Sequence, residues 1–390
     1  MAANNLTFEQ ASTFLTSLYT QATGQSAMVP TNTSEFVTVA QAVLKTGYDT
    51  VINSISQVLG RTIFSIRPYT AKFKGLTVDE QRYGAITRKI NFVDSNIEND
   101  ERYALTDGQS VDMYKVKKPK VLQTNFYGGN TYQQHITIFK DQLDTAFKSY
   151  EEFNRFISGV MQNVMDQLEQ VHEAESRAAL MNFALGKQAG DSANVIDVLE
   201  EYNNKTGSSL TSETLFNSDN YVSFTKWLYA YINTLMRSMS ERSAKYHINV
   251  TGKEVMRHTP ADRMKAYIAA DFLDSIESVA LPSIFGADRM KMIDWEPVTY
   301  WQSINAPLVM GGVPSYLAAD GTIATAANTV TLGVVGMLFD EDACGITRIN
   351  QWSERTPFNA AGGYSNIYWH FTERYWNDFT ENGVILVIGD

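Results

Sequence analysis

One long amphipathic stretch directly follows a basic, strand-rich segment, and this pairing limits what the chain can fold into. Between Lys140 and Gly186, apolar residues recur every three or four positions, which places them on one face of a helix. They are Leu143, Phe147, Tyr150, Phe153, Ile157, Val160, Met161, Val164, Leu168 and Val171. An unbroken helix of this length would measure about 60–70 Å, roughly twice the diameter of a small domain. We therefore predict an extended subunit whose rod and ribbon are completed by copies of the same chain.

The segment before this helix, residues 61–138, has a strand-like alternation of apolar and charged residues. A two-stranded ribbon is marginally stable by itself, so we expect it to lie on a neighbouring subunit. The predicted strands are 62–66, 86–93, 111–122 and 135–139, with a turn at 126–129.

Charge is distributed unevenly along the chain. Residues 61–135 contain 12 Lys and Arg against 8 Asp and Glu, a net +4, whereas the remainder contains 20 against 35, a net −15. The overall charge of −11 argues against tight binding of bare nucleic acid. We expect the basic ribbon to pair with acidic bodies of neighbouring copies, the alternative being solvated surface charges. The candidate contact residues in the ribbon are Arg88, Lys89, Lys115, Lys117, Lys118 and Lys120.

The rest of the chain is predicted to form a helical arm and a mixed body. Thr7 and Gln10 match a helix-capping box, and a second amphipathic stretch from Glu35 to Gly60 has an expected interruption at Gly47. Neither arm helix can bury its apolar face alone. In the body we predict a polar loop at 188–218, helices at 221–240 and 259–272, and strands at 247–250, 329–339, 346–352, 364–375 and 383–388.

The sequence predicts no catalytic, cofactor or metal site. His172 and Glu173 lie on the predicted rod, but Ser176 stands where a zinc-protease motif needs its second histidine. The acidic stretch from Asp340 resembles the start of a calcium loop, but its fifth position is Cys344 and its twelfth is Gln351, and a calcium site needs an oxygen ligand at both positions. A tight acidic turn between strands is the better interpretation.

Compartment signals point to the cytoplasm. The single cysteine, Cys344, excludes an intrachain disulfide, and the acidic residues before it disfavour a reactive thiolate. We find no basic, apolar leader at the N-terminus and no apolar stretch of membrane-spanning length. We therefore expect folding in a reducing cytoplasm without a membrane partner.

The order of parts, together with the closing passage from Thr356 to Phe379, resembles the major capsid proteins of tailed bacteriophages. That passage contains Thr-Pro-Phe-Asn-Ala-Ala-Gly-Gly-Tyr and, further on, Trp-His-Phe-Thr-Glu-Arg-Tyr-Trp-Asn-Asp-Phe. The resemblance implies an α+β chain with the HK97-like capsid fold. It divides the chain into an N-terminal arm (1–60), an extended β-ribbon loop or E-loop (61–138), a peripheral domain with a spine helix (139–190 and 346–379) and an axial domain (191–345 and 380–390).

The resemblance also implies partners. The chain would assemble with itself into pentamers and hexamers of an icosahedral shell that encloses double-stranded DNA. Scaffolding, portal and head-decoration proteins would be further partners, the shell would form in the host bacterial cytoplasm, and the product would be a virion. The turn that contains Phe358, Asn359, Gly362 and Gly363 would approach neighbours at three-fold contacts.

Two other functions remain open at this point. An encapsulin-like compartment would use the same fold to enclose an enzyme cargo, and the genes beside this one would distinguish it from a phage. A carbohydrate-acting enzyme or binding module would use the aromatic strand at 364–376, and it would be a monomer that binds sugar.

Overall fold

The computed structural model describes residues 7–26, 28–62, 73–78, 87–93, 97, 100–114, 116–127, 129–276, 295–331 and 333–389. Its helices are α1 (Phe8–Thr23), α2 (Thr33–Leu44), α3 (Tyr48–Thr62), α4 (Lys140–Ala146), α5 (Tyr150–Gly190), α6 (Val198–Thr206), α7 (Ser212–Leu215), α8 (Ser218–Ser240) and α9 (Ala270–Ser275).

The strands up to residue 312 are β1 (Thr77–Val78), β2 (Thr87–Phe92), β3 (Val121–Phe126), β4 (Asn130–Phe139), β5 (Val195–Asp197), β6 (Met264–Ala269), β7 (Trp295–Val298) and β8 (Met310–Gly312). The later strands are β9 (Ser315–Leu317), β10 (Ile323–Thr325), β11 (Thr329–Thr331), β12 (Val334–Asp340), β13 (Cys344–Arg355), β14 (Tyr364–Asn377) and β15 (Gly383–Val387).

The predicted rod is two helices rather than one. Helix α4 ends at Ala146, and α5 begins at Tyr150 after Ser149, whose hydroxyl accepts the backbone N–H of Glu152. A serine N-cap satisfies one of the N–H groups that a new helix leaves unpaired, so the break is encoded locally. The 41 residues of α5 still give a rod of about 60 Å.

The N-terminal helices form as predicted and then pack on this rod. The capping box of Thr7 and Gln10 begins α1, and Gly47, at φ +99°, separates α2 from α3. Phe14 and Phe36 both contact Phe153 of α5, at ring-centroid distances of 6.1 and 5.4 Å. The expectation that other copies must complete the rod is therefore wrong for its first half, because the chain's own arm buries it.

A four-stranded sheet, in the order β1-β13-β14-β4, packs on the same rod. Its long β14 alternates in burial, so that Ile367, Trp369 and Phe371 point inward and the residues between them point outward. The predicted strands at 346–352 and 364–375 are confirmed, and both are longer than predicted. β4 begins at Asn130, five residues before the predicted start.

A five-stranded sheet, in the order β5-β15-β12-β6-β7, forms the second core with α6 and α8. The predicted helix at 259–272 is wrong, because residues 264–269 form the interior strand β6. Nearly every residue of β6 is buried, so its sequence lacks the alternation that marks a half-exposed strand. The helix at 221–240 and the strand at 383–388 are confirmed as α8 and β15.

Two further predictions in the body are wrong. Residues 247–250 form no strand and make only an isolated bridge between Val250 and Lys253. Residues 188–218 are not a loop, since they contain the end of α5 together with β5, α6 and α7. Asp197 caps α6 by accepting two backbone N–H groups, a local signal that the polar composition obscured.

The ribbon is shorter than the alternation predicts. β2 pairs with β3 in antiparallel fashion, from Thr87 opposite Phe126 to Phe92 opposite Val121. The predicted strand at 111–122 is wrong for residues 111–114 and 116–120, which are irregular and exposed. Pro119 has no N–H for a ladder, and the strand begins just after it. Residues 63–66 of another predicted strand lie outside the described residues.

Candidate intersubunit surfaces

The base of the ribbon is bound to the body of the same chain. Lys89 on β2 places its Nζ 2.6 Å from Glu381 Oε1 and 3.0 Å from Asp378 Oδ2, and both carboxylates are almost fully buried. Arg257 adds a contact of 3.1 Å to Glu381 and donates to Asn91 of β2 at 3.2 Å. Lys89, predicted as an intersubunit contact, therefore lies in a charge cluster within its own subunit.

Burial and charge act in opposite directions in this cluster. Burial lowers the pKa of Lys89, but the nearby Asp378 and Glu381 outweigh it, so the pKa lies above its ordinary value. Burial raises the pKa of Glu381, and Lys89 and Arg257 offset this only in part. A cavity of about 420 Å³ adjoins the cluster between the ribbon and the body. The ribbon base is thus held by ion pairs to two carboxylates that are almost fully buried.

The tip of the ribbon, defined here as the described residues between 97 and 120, makes a different surface. Lys117, Lys118 and Lys120 are exposed there, as predicted for contact residues, and Arg88 is exposed on β2. Lys115 lies outside the described residues. Sequence reasoning missed the apolar members of the tip: Ile97, Met113, Tyr114 and Val116 expose between 79% and 100% of their surface. Exposed apolar residues grouped on one segment are typical of protein interaction surfaces.

The turn between β13 and β14 is closed by Asn359. Its backbone N–H donates to the Tyr364 carbonyl and its carbonyl accepts from Gly363, both at 2.8 Å. Its side-chain Oδ1 accepts the N–H groups of Ala361 at 3.1 Å and Gly362 at 3.0 Å. Gly363 has φ +66°, a conformation that glycine adopts without steric cost. The structure therefore brings the predicted turn residues, with Phe358 just before them, onto one ordered and largely exposed turn.

The subunit thus consists of an arm packed on a rod, a ribbon with an exposed tip, and two main sheets that both pack on the rod. A sequence profile of the Phi29-like phage major capsid protein family matches residues 15–387. The chain belongs to this family. No match is found among curated proteins.

Solved structures agree with the family at the level of the fold. The chain is similar to one in the capsid structure of Staphylococcus phage Andhra, with 12% identity, a TM-score of 0.56, and coverage of 84% of this chain and 86% of that chain. It is similar to a chain in the structure of head fiber and inner core protein gp22 of native bacteriophage P68, with 11% identity, a TM-score of 0.55, and coverage of 83% and 86%. The α+β architecture is the HK97-like capsid fold, and the chain is a shell-forming subunit of a phage virion.

The aromatic rings on the outer face of β14 in this capsid protein stack on rings of the neighbouring strands. On the outer face of β14, His370 stacks on Trp352 at 3.9 Å and Tyr368 stacks on His135 at 5.2 Å. These rings are partners of each other across the strands. This stacking covers the ring faces that the paired rings turn toward each other, and it is the family match that argues against a sugar-binding module.

The other groups examined in the sequence have structural roles in the capsid protein. His172 is buried, with its Nδ1 3.1 Å from Glu373 of β14. Burial raises the pKa of the Cys344 thiol to about 12, which makes it inert at neutral pH. The acidic turn after β12 is confirmed, and its Glu341 and Asp342 both bind Arg263 at 2.7 Å.

Among the described residues, no group of histidine, cysteine, aspartate and glutamate side chains is arranged to hold a metal ion. None of the described helices is both long and apolar enough to cross a membrane.

Proposed function

We propose that this subunit assembles with itself into pentamers and hexamers of an icosahedral shell that encloses double-stranded DNA, and that it performs no chemistry. The observation that carries the proposal is the ribbon tip, where Met113, Tyr114 and Val116 expose about four-fifths of their surface. Burying such side chains is favourable by about 1.5–3 kcal/mol for each large apolar group. In a shell, the neighbouring subunit supplies the surface that buries them.

The architecture suits closed assembly. A shell needs contacts that lead from one copy to the next around rings, and each can be weak because many act together. The ribbon segment, residues 61–135 with a net charge of +4, and the acidic remainder of the chain provide complementary charges for such contacts. The excess of acidic residues in the body also limits non-specific attachment to packaged DNA.

The proposal also assigns a role to each segment of the chain. Residues 1–60 serve as the arm, 61–138 as the extended loop, 139–190 with 346–379 as the peripheral domain, and 191–345 with 380–390 as the axial domain. Assembly takes place in the host cytoplasm, and scaffolding, portal and head-decoration proteins are the further partners. The turn at 358–363 contacts neighbouring copies.

The test replaces the ribbon tip and leaves the subunit core intact. Residues 97–118 are exchanged for a short Gly-Ser linker, which spares β2, β3 and the buried Phe73 and Leu76 before them. Electron microscopy of the purified wild-type chain should show closed shells, and the variant should remain as folded subunits or capsomers. A matched control exchanges the exposed segment 319–322 between β9 and β10 for the same type of linker. Normal shells from the tip variant would contradict the proposal.

A further inference from the structure

The N-terminal arm reaches the exposed turn at the opposite end of the sequence. Helix α3 begins at Tyr48, directly after the left-handed Gly47. Asp49, in its first turn, accepts two hydrogen bonds from Arg355, from Nη1 to Oδ1 at 2.6 Å and from Nη2 to Oδ2 at 3.1 Å. The same Oδ1 accepts the backbone N–H of Phe358 at 3.4 Å. One carboxylate therefore holds both the end of β13 and the entry to the turn.

The neighbouring Tyr48 holds the side chain that precedes the turn. Its ring stacks on the Phe358 ring, with centroids 6.2 Å apart and planes 22° apart. Its hydroxyl donates to Asp144 of α4 at 2.5 Å, and Lys140 lies 4.8 Å above the ring. Tyr48 is thus fixed by α4 on one side and supports Phe358 on the other.

The turn's own hydrogen bonds fix its shape, whereas its direction depends on where its two ends are held. Asn359 closes residues 359–364 into a unit, as described above. The far end is held by β14 and by the Lys140 N–H, which donates to the Gly363 carbonyl at 2.8 Å, and the near end is held through the entry residues 356–358. The Arg355 guanidinium is mostly buried and also donates to the Thr356 carbonyl at 3.2 Å. The bidentate pair with Asp49 therefore fixes the backbone where the chain enters the turn.

We propose that Tyr48 and Asp49 are positioning residues that set the direction of the 357–363 turn toward a second copy of this chain. The inference rests on the proposed function of the turn as an intersubunit contact. It assigns to the arm a role inside its own subunit: the first turn of α3 presets a contact surface more than 300 residues away in the sequence. Preset surfaces lose less conformational freedom on binding, which favours assembly.

The decisive variant is Asp49→Asn, which keeps the shape of the side chain and removes its charge. Hydrogen–deuterium exchange of the unassembled full-length chain should become about threefold to fivefold faster at the backbone amides of 356–363, as expected for the loss of an ion pair at a partly exposed site. Tyr48→Phe removes the bond to Asp144 and keeps the ring, and a smaller increase is expected. In both variants the yield of closed shells at a fixed concentration should fall.

Glu9→Gln is the matched control. It also removes one exposed carboxylate from the first turn of an arm helix, so any loss of helix stability is shared. It should change neither the exchange of 356–363 nor the shell yield. Unchanged exchange at 356–363 in Asp49→Asn would overturn the positioning role. Faster exchange with an unchanged shell yield would support that role and overturn the proposed contact made by the turn.

Discussion

Single charged residues in this capsid protein act mainly within the subunit. Lys89 carries a positive charge between the nearly buried Asp378 and Glu381, and Lys187 lies fully buried with its Nζ 3.0 Å from the Tyr246 carbonyl and 3.5 Å from Asp191. Burial lowers the pKa of both lysines, but the net shifts are opposite. The pKa of Lys89 is raised because two carboxylates surround it, whereas burial lowers the pKa of Lys187 to about 8.

We expect Lys89→Met to lower the free energy of unfolding by about 3 kcal/mol at pH 7, because the substitution removes the Lys89 counter-charge from the buried Asp378 and leaves Glu381 with Arg257 alone. A lysine with a raised pKa stabilises the fold at all pH values below its unfolded pKa, so this loss should be constant between pH 6 and 9. Urea denaturation measures it. Lys118→Met, at an exposed ribbon site, is the control. If the two substitutions lowered the free energy of unfolding equally, the buried charge cluster would not be the cause of the loss.

The buried Lys187 should make the free energy of unfolding depend on pH. Its folded pKa of about 8 lies below the model-compound value of 10.5, so above pH 8 the unfolded chain binds more protons than the folded chain. Stability from this group therefore increases with pH, by about 2 kcal/mol between pH 7 and 10. Lys187→Met should lack that increment when unfolding free energies of both proteins are compared at the two pH values. A constant difference between them would contradict the expectation.

At the scale of elements, the boundaries depend on single capping residues. The apolar periodicity runs through residues 140–171 without interruption, yet the helix breaks where Ser149 caps α5 and Phe147 turns into the core. Periodicity reports which face is buried and is insensitive to a short break that keeps the face aligned. The break lets α4 lie beside the turn while α5 extends from the arm and the four-stranded sheet to the five-stranded sheet.

Ser149→Ala should lower the melting temperature, because it removes the acceptor for the Glu152 N–H and costs about 1 kcal/mol. Ser158→Ala, inside the same helix, removes a hydroxyl that, among the described residues, donates to the Asn154 side chain. This control should be neutral or slightly stabilising, since alanine has the higher helix propensity. Differential scanning calorimetry decides between them. If Ser149→Ala lowered the melting temperature less than Ser158→Ala, the Ser149 cap would not account for the helix break.

At the scale of the whole molecule, the subunit covers its rod and the base of its ribbon with its own segments. The arm covers the first half of α5, and the second half, with Leu180 and Phe183, packs against the strands of the second core. The ribbon base is held by its own body. The tip of the ribbon exposes large apolar side chains and the 357–363 turn is largely exposed, so we expect assembly to depend on both.

Charge reversal at the tip tests this dependence. The triple variant Lys117→Glu, Lys118→Glu and Lys120→Glu should reduce shell yield at least tenfold, and wild-type assembly should weaken as salt rises from 0.1 to 1 M, since the screening length falls from about 10 to 3 Å. The control reverses Lys148, Lys205 and Lys226, which are exposed on the body. Light scattering measures both yields. Equal losses in the two triple variants would attribute the effect to net charge alone.

The sequence by itself determined the parts whose signals are local. The capping box at Thr7, the left-handed Gly47, the amphipathic face of α5 and the alternation of β14 each follow from the steric and polar preferences of a few neighbouring residues. The closing passage around Asn359 also carried the family resemblance. These signals were enough for the fold class and for a structural function.

The tertiary structure decided which surfaces are used within the subunit. Lys89 and Lys118 have the same side chain on the same ribbon, yet one is held between buried carboxylates and the other is exposed. β6 is a strand because β12 and β7 flank it, although its apolar run fits a helix equally well. The pairing of Asp49 with Arg355 joins residues 306 positions apart. Such contacts depend on how distant segments fold together, and no local pattern along the chain records them.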